Sequence, residues 1–266
     1  MRPLTACVIA FNEEEKLRAC LESVSFCAER VVVDSHSTDR TREIAQELGA
    51  RVIERDWPGH IEQKNFAIDQ ASHEWVLCLD ADERVTPELR AEIERVLADP
   101  RAEGYEVARR NIYLGRWIKG GGWYPDRKLR LFRRDRGRWG GINPHDHVQV
   151  QGPVERLAGD LLHLSYDSIR DHLKTIDYFS TIAAGEKLRR GQRGLGLQLV
   201  MNPPWKFVKM FLLQGGFRDG WRGLIVAALG AFYVFLRYAK LWEQVHVEGR
   251  RPGEGGAFSY GRKGEA

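Results

Sequence analysis

Cysteine is scarce in this chain, and the usual glycine-rich phosphate loops are missing. Its 266 residues hold four cysteines, Cys7, Cys20, Cys27 and Cys78, all in the first third. They form no CxxC pair, and no histidine stands at zinc-finger spacing, which excludes a structural zinc module. Cys7 and Cys78 sit in apolar runs, where a thiol behaves as a small hydrophobe, and are expected as reduced core residues of a cytoplasmic protein. There is no Walker A sequence and no GxGxxG, so a bound nucleotide would be held by a metal and basic residues rather than by a glycine loop. Internal repeats are absent. The opening MRPLTACVIAFNEEE does not read as a secretory signal, because its apolar stretch is short and runs into acids. No nucleic-acid-binding motif accompanies the basic residues, so no nucleic-acid partner is expected.

What is present describes a globular protein able to bury a core: 43% hydrophobic and 29% charged residues. The net charge of +4 says little, but its distribution is uneven. Residues 126–138 hold seven Lys/Arg against two acids, and residues 186–222 hold eight against two. Such patches suit phosphate-bearing partners, or are simply solvated basic faces.

Strand and helix patterns alternate through the first hundred residues. Leu4 to Phe11, Arg30 to Asp34, RVIE and WVLCLD read as strands. Helices follow each: one capped by Asn12, one ending at Gly49, one over Glu62 to Ala71, and one opened by Thr86 and Pro87. Short connections between them imply a parallel, doubly wound sheet, whose ligands bind beyond the carboxyl ends of the strands. Asn12 and Glu13, Asp34, and Asp80 with Asp82 all lie there. YEVARRNIYLG and KLRLFRR read as further strands around a mobile, glycine-rich IKGGGWYPD loop. DLLHLSYDSIRDHLKTIDYFSTIAAGEKLRRG reads as mostly helical, and the tail past Glu248 as disordered.

Asp80-Ala-Asp82 places two hard oxygen ligands at a strand end, a pattern suited to Mg²⁺ or Mn²⁺ bridging substrate phosphates. Solvated acids in a loop would look the same. In WGGINPHDHVQVQG, two histidines flank Asp146; they form a base site, a structural hydrogen-bond cluster or a metal site of their own.

CVIAFNEEEKLRACLESV, RVVVDSHSTDRTREIA, QKNFAID and WVLCLDADE, in that order over residues 4–90, resemble the inverting glycosyltransferases of family 2. That resemblance implies an α/β, GT-A (nucleotide-diphospho-sugar transferase) Rossmann-like sheet with a helical C-terminal extension. It departs at Ser35-His36, where the family often has Asp-Gly. By resemblance, Phe11 lies against the base of a nucleotide sugar, with Glu13 beside it. Asp34 accepts from a uracil-type imide, Lys64 approaches the phosphates, Asp80 lies near ribose and diphosphate, and Asp82 binds Mg²⁺ or Mn²⁺ with Asp80. Phe11 as plain core and Lys64 as a surface residue are the bland alternatives. Asp146 is then the general base, with His145 and His147 as diphosphate or metal contacts.

NPHDHV, DLLHLSY and the stretch from Asn202 to Glu243 resemble, more narrowly, lipopolysaccharide core glycosyltransferases that add a β-linked glucose. This implies a UDP-glucose donor, a lipid-linked or lipopolysaccharide inner-core acceptor, and a place on the cytoplasmic face of the inner membrane. Independently, the fourteen uncharged residues between Arg222 and Arg237 fall short of the roughly 20 that span a bilayer. With their flanking Trp, Tyr, Lys and Arg they suit a segment lying in the interface, or a buried hairpin or dimer face. Residues 1–165 are expected as the catalytic domain, 166–248 as the helical extension and 249–266 as the tail. A phosphatase of haloacid dehalogenase type shares an acid pair after a strand, but normally after the first. A nucleotidyltransferase shares the metal carboxylates but needs a glycine-rich N-terminal signature. A non-catalytic membrane-associated module leaves the acids at three strand ends unexplained.

Overall fold

The computed structural model describes residues 2–142, 145–191 and 196–250, without the side chains of Ile142 and His145. The chain forms two compact units: residues 1–111 with 125–165, and residues 112–124 with 166–266. The expected tail lies almost wholly outside the described residues.

The first unit alternates as its sequence patterns require. In order come β1 (Leu4–Ala10), α1 (Leu17–Ser23), β2 (Glu29–Asp34), α2 (Thr41–Glu47), β3 (Arg51–Glu54), α3 (His60–Asp69), β4 (Trp75–Asp80), β5 (Glu83–Val85) and α4 (Pro87–Ala98). Then follows β6 (Gly104–Tyr113), after which the chain enters the second unit for β7 (Arg116–Trp117) and returns with β8 (Asp126–Arg133), β9 (Gly137–Ile142), β10 (His145–Val150) and β11 (Val154–Tyr166). The main sheet runs β3-β2-β1-β4-β8-β6-β11-β5. β1 to β4 are parallel, as expected. From β8 onward the known pairings are antiparallel, so the sheet is mixed. β9 and β10 form a separate antiparallel hairpin.

Alternation along β1 builds the two faces. Leu4, Ala6, Val8 and Ala10 pack with Leu17 and Leu21 of α1 and Leu89, Ile93 and Leu97 of α4. Cys7 joins Val31, Val33, Val76 and Cys78 against Ala67 and Ile68 of α3. Period-two side chains thus feed both layers. All four cysteines are buried and free. Thr86 caps α4, its hydroxyl accepting from Leu89 N at 3.2 Å, with Pro87 as the first helical residue.

Three expectations need correction. Asn12 caps no helix: α1 begins at Leu17, and Asn12 stands at φ +53° with its side-chain oxygen accepting from Thr38 N at 2.8 Å. An amide that tolerates the left-handed region serves a turn better than a cap. The segment through DLLHLSY is the long strand β11, not the start of a helix. The glycine-rich loop is pinned rather than loose. Gly121 N donates to Gln214 O at 2.9 Å, and Gly120 N to Asp219 Oδ2 at 2.7 Å. A Cβ on Gly120 would stand 2.3 Å from Gly215 O, so only glycine permits that approach.

The second unit contains β7, α5 (Ile169–Arg189), α6 (Gly196–Val208), a π-helical turn over Lys209–Leu213, a 3₁₀ turn over Gly216–Asp219 and α7 (Gly220–His246). Its core joins Tyr113, Ile118, Met210, Val226 and Ala227.

Candidate active site

The ends of β1 and β2 are tied by a short hydrogen-bond chain. Asp34 is fully buried; its Oδ2 accepts from Ser37 N at 2.8 Å and its Oδ1 from the Ser37 hydroxyl. Ser37 Oγ in turn accepts from Asn12 N at 2.9 Å. Asp34 therefore fixes the loop that would face a ligand. His36, next in that loop, has φ +60°, a conformation that glycine adopts cheaply. Its ring is held by Asp56 (3.0 Å) and Glu54 (3.4 Å). Phe11 is half-buried just past β1, and Glu13 is half-buried with its amide donating to Thr41 Oγ1 at 2.8 Å.

The carboxylates past β4 are compensated by buried cations. Arg130, 2% exposed on β8, reaches Asp80 Oδ2 at 2.9 Å and Glu83 Oε1 at 2.6 Å. Glu83 has no exposed surface, and its Oε2 accepts from Asp80 N at 3.0 Å. Arg109 adds a contact to Glu83 at 3.3 Å and pairs with Asp126, which Lys128 also reaches at 3.0 Å. On the other side Lys64 stands 3.3 Å from Asp80 Oδ1 and 2.8 Å from Asp146 Oδ2. Charges thus alternate from Asp146 through Lys64, Asp80, Arg130, Glu83, Arg109 and Asp126 to Lys128. Burial alone pushes the Asp80 carboxyl up, but Lys64, Arg130 and Arg109 outweigh it and hold it well below the usual carboxylate range. Burial likewise pulls Arg130 down, and Glu83 and Asp80 reverse that and raise it.

Asp82 faces a different partner. Its Oδ2 lies 3.4 Å from His163 Nε2. His163 is brought there by β11 pairing with β5, which sets His163 opposite Glu83. Its Nδ1 lies 2.6 Å from Asn111 Oδ1, an acceptor, which favours a proton on Nδ1.

The β9–β10 hairpin is docked on α3, and one α3 side chain pairs with its backbone. Asn65 donates to Trp139 O (2.9 Å) and accepts from Trp139 N (3.0 Å). The Trp139 ring then lies 4.2 Å from Lys64 Nζ and 5.4 Å from Arg130. This docking presents Asp146, on β10, to Lys64. His147, one residue on, is exposed, and its Nε2 is 3.4 Å from Gln149 Nε2. Alternation on the strand points it away from Asp146. His145 opens β10, and its side chain lies outside the described residues.

The structure therefore brings Lys64, Asp80 and Asp146 together, sets Asp82 against His163, and leaves the exposed His147 pointing away from Asp146. It adds Arg130, Arg109 and His163, which sequence reasoning missed, and pairs Glu83 with the two arginines. The period-two run Leu161, His163, Ser165 marks a strand and would have flagged His163. Nothing local marks Arg130, which sits among seven basic residues. That run is also no free patch: Arg133 pairs with Glu74 (2.9 Å) and Arg138 with Asp69 (2.5 Å).

Among the described residues no cluster of three or more His, Cys, Asp or Glu could hold a metal ion. A hard divalent cation that keeps waters and binds phosphates needs only one or two protein groups, and the carboxylate of Asp82 with the imidazole of His163 could serve as these. Asp80 already has both oxygens on cationic side chains.

Residues 5–156 match the family model described as Glycosyl transferase family 2. LpsC of Rhizobium meliloti (strain 1021), a lipopolysaccharide core biosynthesis glycosyltransferase, is 34% identical over 97% of this chain and 98% of its own length. An uncharacterized glycosyltransferase of Rickettsia typhi is 31% identical over 91% of this chain and 88% of its own. Among solved structures, S. aureus TarS 1-349 is 13% identical and covers 93% of this chain and 92% of its own, with a TM-score of 0.47. Glucosyl-3-phosphoglycerate synthase of Mycobacterium tuberculosis, solved with Mn²⁺, UDP and glucosyl-3-phosphoglycerate, is 24% identical over 41% of this chain, with a TM-score of 0.36. This chain spans 44% of that protein.

Proposed function

The chain belongs to glycosyl transferase family 2, with a GT-A α/β fold and a helical C-terminal extension, and we propose that it transfers a sugar from a UDP-sugar to a lipid-linked acceptor of the lipopolysaccharide inner core, inverting the anomeric centre. One observation carries the reaction type. Lys64 bridges Asp80 and Asp146, drawing an acid at the end of β4 and an acid on a distant hairpin to one spot beyond the strand ends. Similarity to LpsC along nearly the full length supports the acceptor class. UDP and glucose are the donor that the family resemblance implies, and the cytoplasmic face of the inner membrane is where such an acceptor is reached.

In the proposed reaction the acceptor hydroxyl attacks the anomeric carbon. The bond from that carbon to the diphosphate oxygen breaks, its electrons leave with UDP, and the hydroxyl proton passes to Asp146. Single displacement needs one base, and Asp146 is the carboxylate of β10 aimed at the site. Lys64 orients it and stands ready for developing charge on the diphosphate. Arg130 and Glu83 hold Asp80 in place, and the Asp34 turn fixes the loop against which Phe11 would receive the base. Asp82 and His163 would hold Mg²⁺ or Mn²⁺, which when bound supplies positive charge to the diphosphate. Asn111 sets the His163 tautomer.

The phosphatase alternative would need Asp80 as nucleophile, yet both its oxygens are engaged by Lys64 and Arg130. The test is calorimetric titration with UDP in the presence of Mn²⁺ and then EDTA. Binding that requires the metal and disappears in Asp82→Ala supports the donor site. Metal-independent binding, or its survival in Asp82→Ala, counts against it.

A further inference from the structure

We infer that the second unit docks flat on an anionic phospholipid bilayer, inserting the outer face of α6 and the turns after it, and that α7 lies along the surface rather than crossing. The inference deepens the proposed acceptor class by naming the surface on which that acceptor is met. α6 has no fully buried residue, and Leu197 (77% exposed), Val200, Met201 and Trp205 (59%) fall at helical spacing on one face. The turns that follow leave Leu213 and Phe217 exposed, and Trp221 (80%) is exposed at the start of α7. An apolar face this open, carrying Trp205 and Trp221, is unusual for a surface left in water and suits the level of lipid headgroups.

Charge says which partner fits. Among the described residues none of Lys206, Lys209, Arg218 and Arg222 forms an ion pair with an acid. This contrasts with residues 126–138, where acids answer most of the cations. Burial and repulsion from Lys209 and Arg237 push the Lys206 ammonium down. Lys209 and Arg237 thus stand close enough to repel Lys206, and among the described residues none of the three forms an ion pair with an acid. Lipid phosphates supply a counter-charge, and a second copy of the same positive face does not.

α7 is long and apolar enough to cross a membrane by length and composition. Its tethers exclude that. Near its start Arg222 donates to Leu114 O at 3.2 Å, in the segment carrying Arg116 and Lys119. Near its end Lys240 donates to Asp177 Oδ1 and Thr181 Oγ1 of α5, both at 2.6 Å. Both ends are thus held to charged parts of the same unit, and α5, with Lys174, Asp177, Glu186 and Lys187, cannot enter a hydrocarbon core. The outward row Trp221, Phe232, Phe235 and Trp242 lies along one side of α7 and can rest in the interface instead.

The experiment is sedimentation of the full-length protein with vesicles of phosphatidylglycerol and phosphatidylethanolamine, and with vesicles of phosphatidylcholine alone. Binding at least about tenfold stronger to the anionic vesicles, released by high salt and by alkaline carbonate, is expected. Leu197→Glu with Trp205→Glu lowers it about tenfold or more, and so does Lys206→Gln with Lys209→Gln, with circular dichroism unchanged. Carbonate-resistant binding overturns the in-plane placement. Unchanged binding in both variants overturns the inserted face. Absence of vesicle binding, together with a dimer in sedimentation velocity that the glutamate variant dissociates, assigns the face to self-association and overturns the proposal. No donor or acceptor is present, so failure here is separate from failure of transfer to a water-soluble core oligosaccharide.

Discussion

Replacing Arg130 with Met tests whether buried ion pairs, rather than solvent, settle the acids past β4. Arg130 is 2% exposed and serves two carboxylates, one of them on the wholly buried Glu83. Removing one partner of a buried pair costs about 3–5 kcal/mol, because the other charge is left uncompensated. Here Glu83 keeps Arg109 at 3.3 Å and the Asp80 amide at 3.0 Å, and Asp80 keeps Lys64. The lower end, about 3 kcal/mol, is therefore expected, against a total stability of about 5–15 kcal/mol. Urea unfolding followed by tryptophan fluorescence reads it as a drop in midpoint at constant slope. Adding Glu83→Gln to Arg130→Met removes the stranded charge, so the double variant is more stable than additivity predicts, with a coupling of about 1–2 kcal/mol. A loss under about 1 kcal/mol for Arg130→Met, or strict additivity, would refute the reasoning.

Two histidines carry further outcomes. In the second unit His172 is buried, stacked on Tyr166 at 4.2 Å, and burial depresses its pKa to about 4. The unfolded ring protonates near 6.5 and the native ring does not, so its contribution is complete above pH 6.5 and is lost as pH falls toward about 4. At ~1.4 kcal/mol per pH unit the loss is about 3 kcal/mol, and urea midpoints across that range should flatten in His172→Phe; an unchanged slope refutes it. Asn111→Leu frees the His163 tautomer and should weaken metal-dependent UDP binding about 10–100-fold, while Asn111→Asp, which keeps an acceptor, restores most of it; equal calorimetric affinities in all three proteins would remove Asn111 from this role.

The parallel half of the sheet was legible because its strands are short apolar runs with acids or turns behind them. The cap at Thr86-Pro87 and the stop at Gly49, which has φ +71°, were also local signals. Asp80, Asp82 and Asp146 stood out by residue type and by resemblance. What was not legible depends on pairing between distant segments. β5 is three residues long and exists because β11 lies beside it. His163 acquires a role only through that pairing. Arg130 looked like one more basic residue until β8 was set between β4 and β6, which turns its side chain into the core beside Glu83. Asn12 looked like a cap because its local chemistry suits caps and left-handed turns equally.

Turnover and UDP binding of Asp146→Asn, measured on the same purified sample, test the central claim most directly. The substitution keeps shape and a hydrogen-bonding oxygen for Lys64 but removes the proton acceptor. UDP affinity within about threefold of the parent, with transfer slowed about 10²–10⁴-fold, is the expected result. Transfer at the parent rate, with the fold intact, would contradict Asp146 as the base and with it the proposed mechanism.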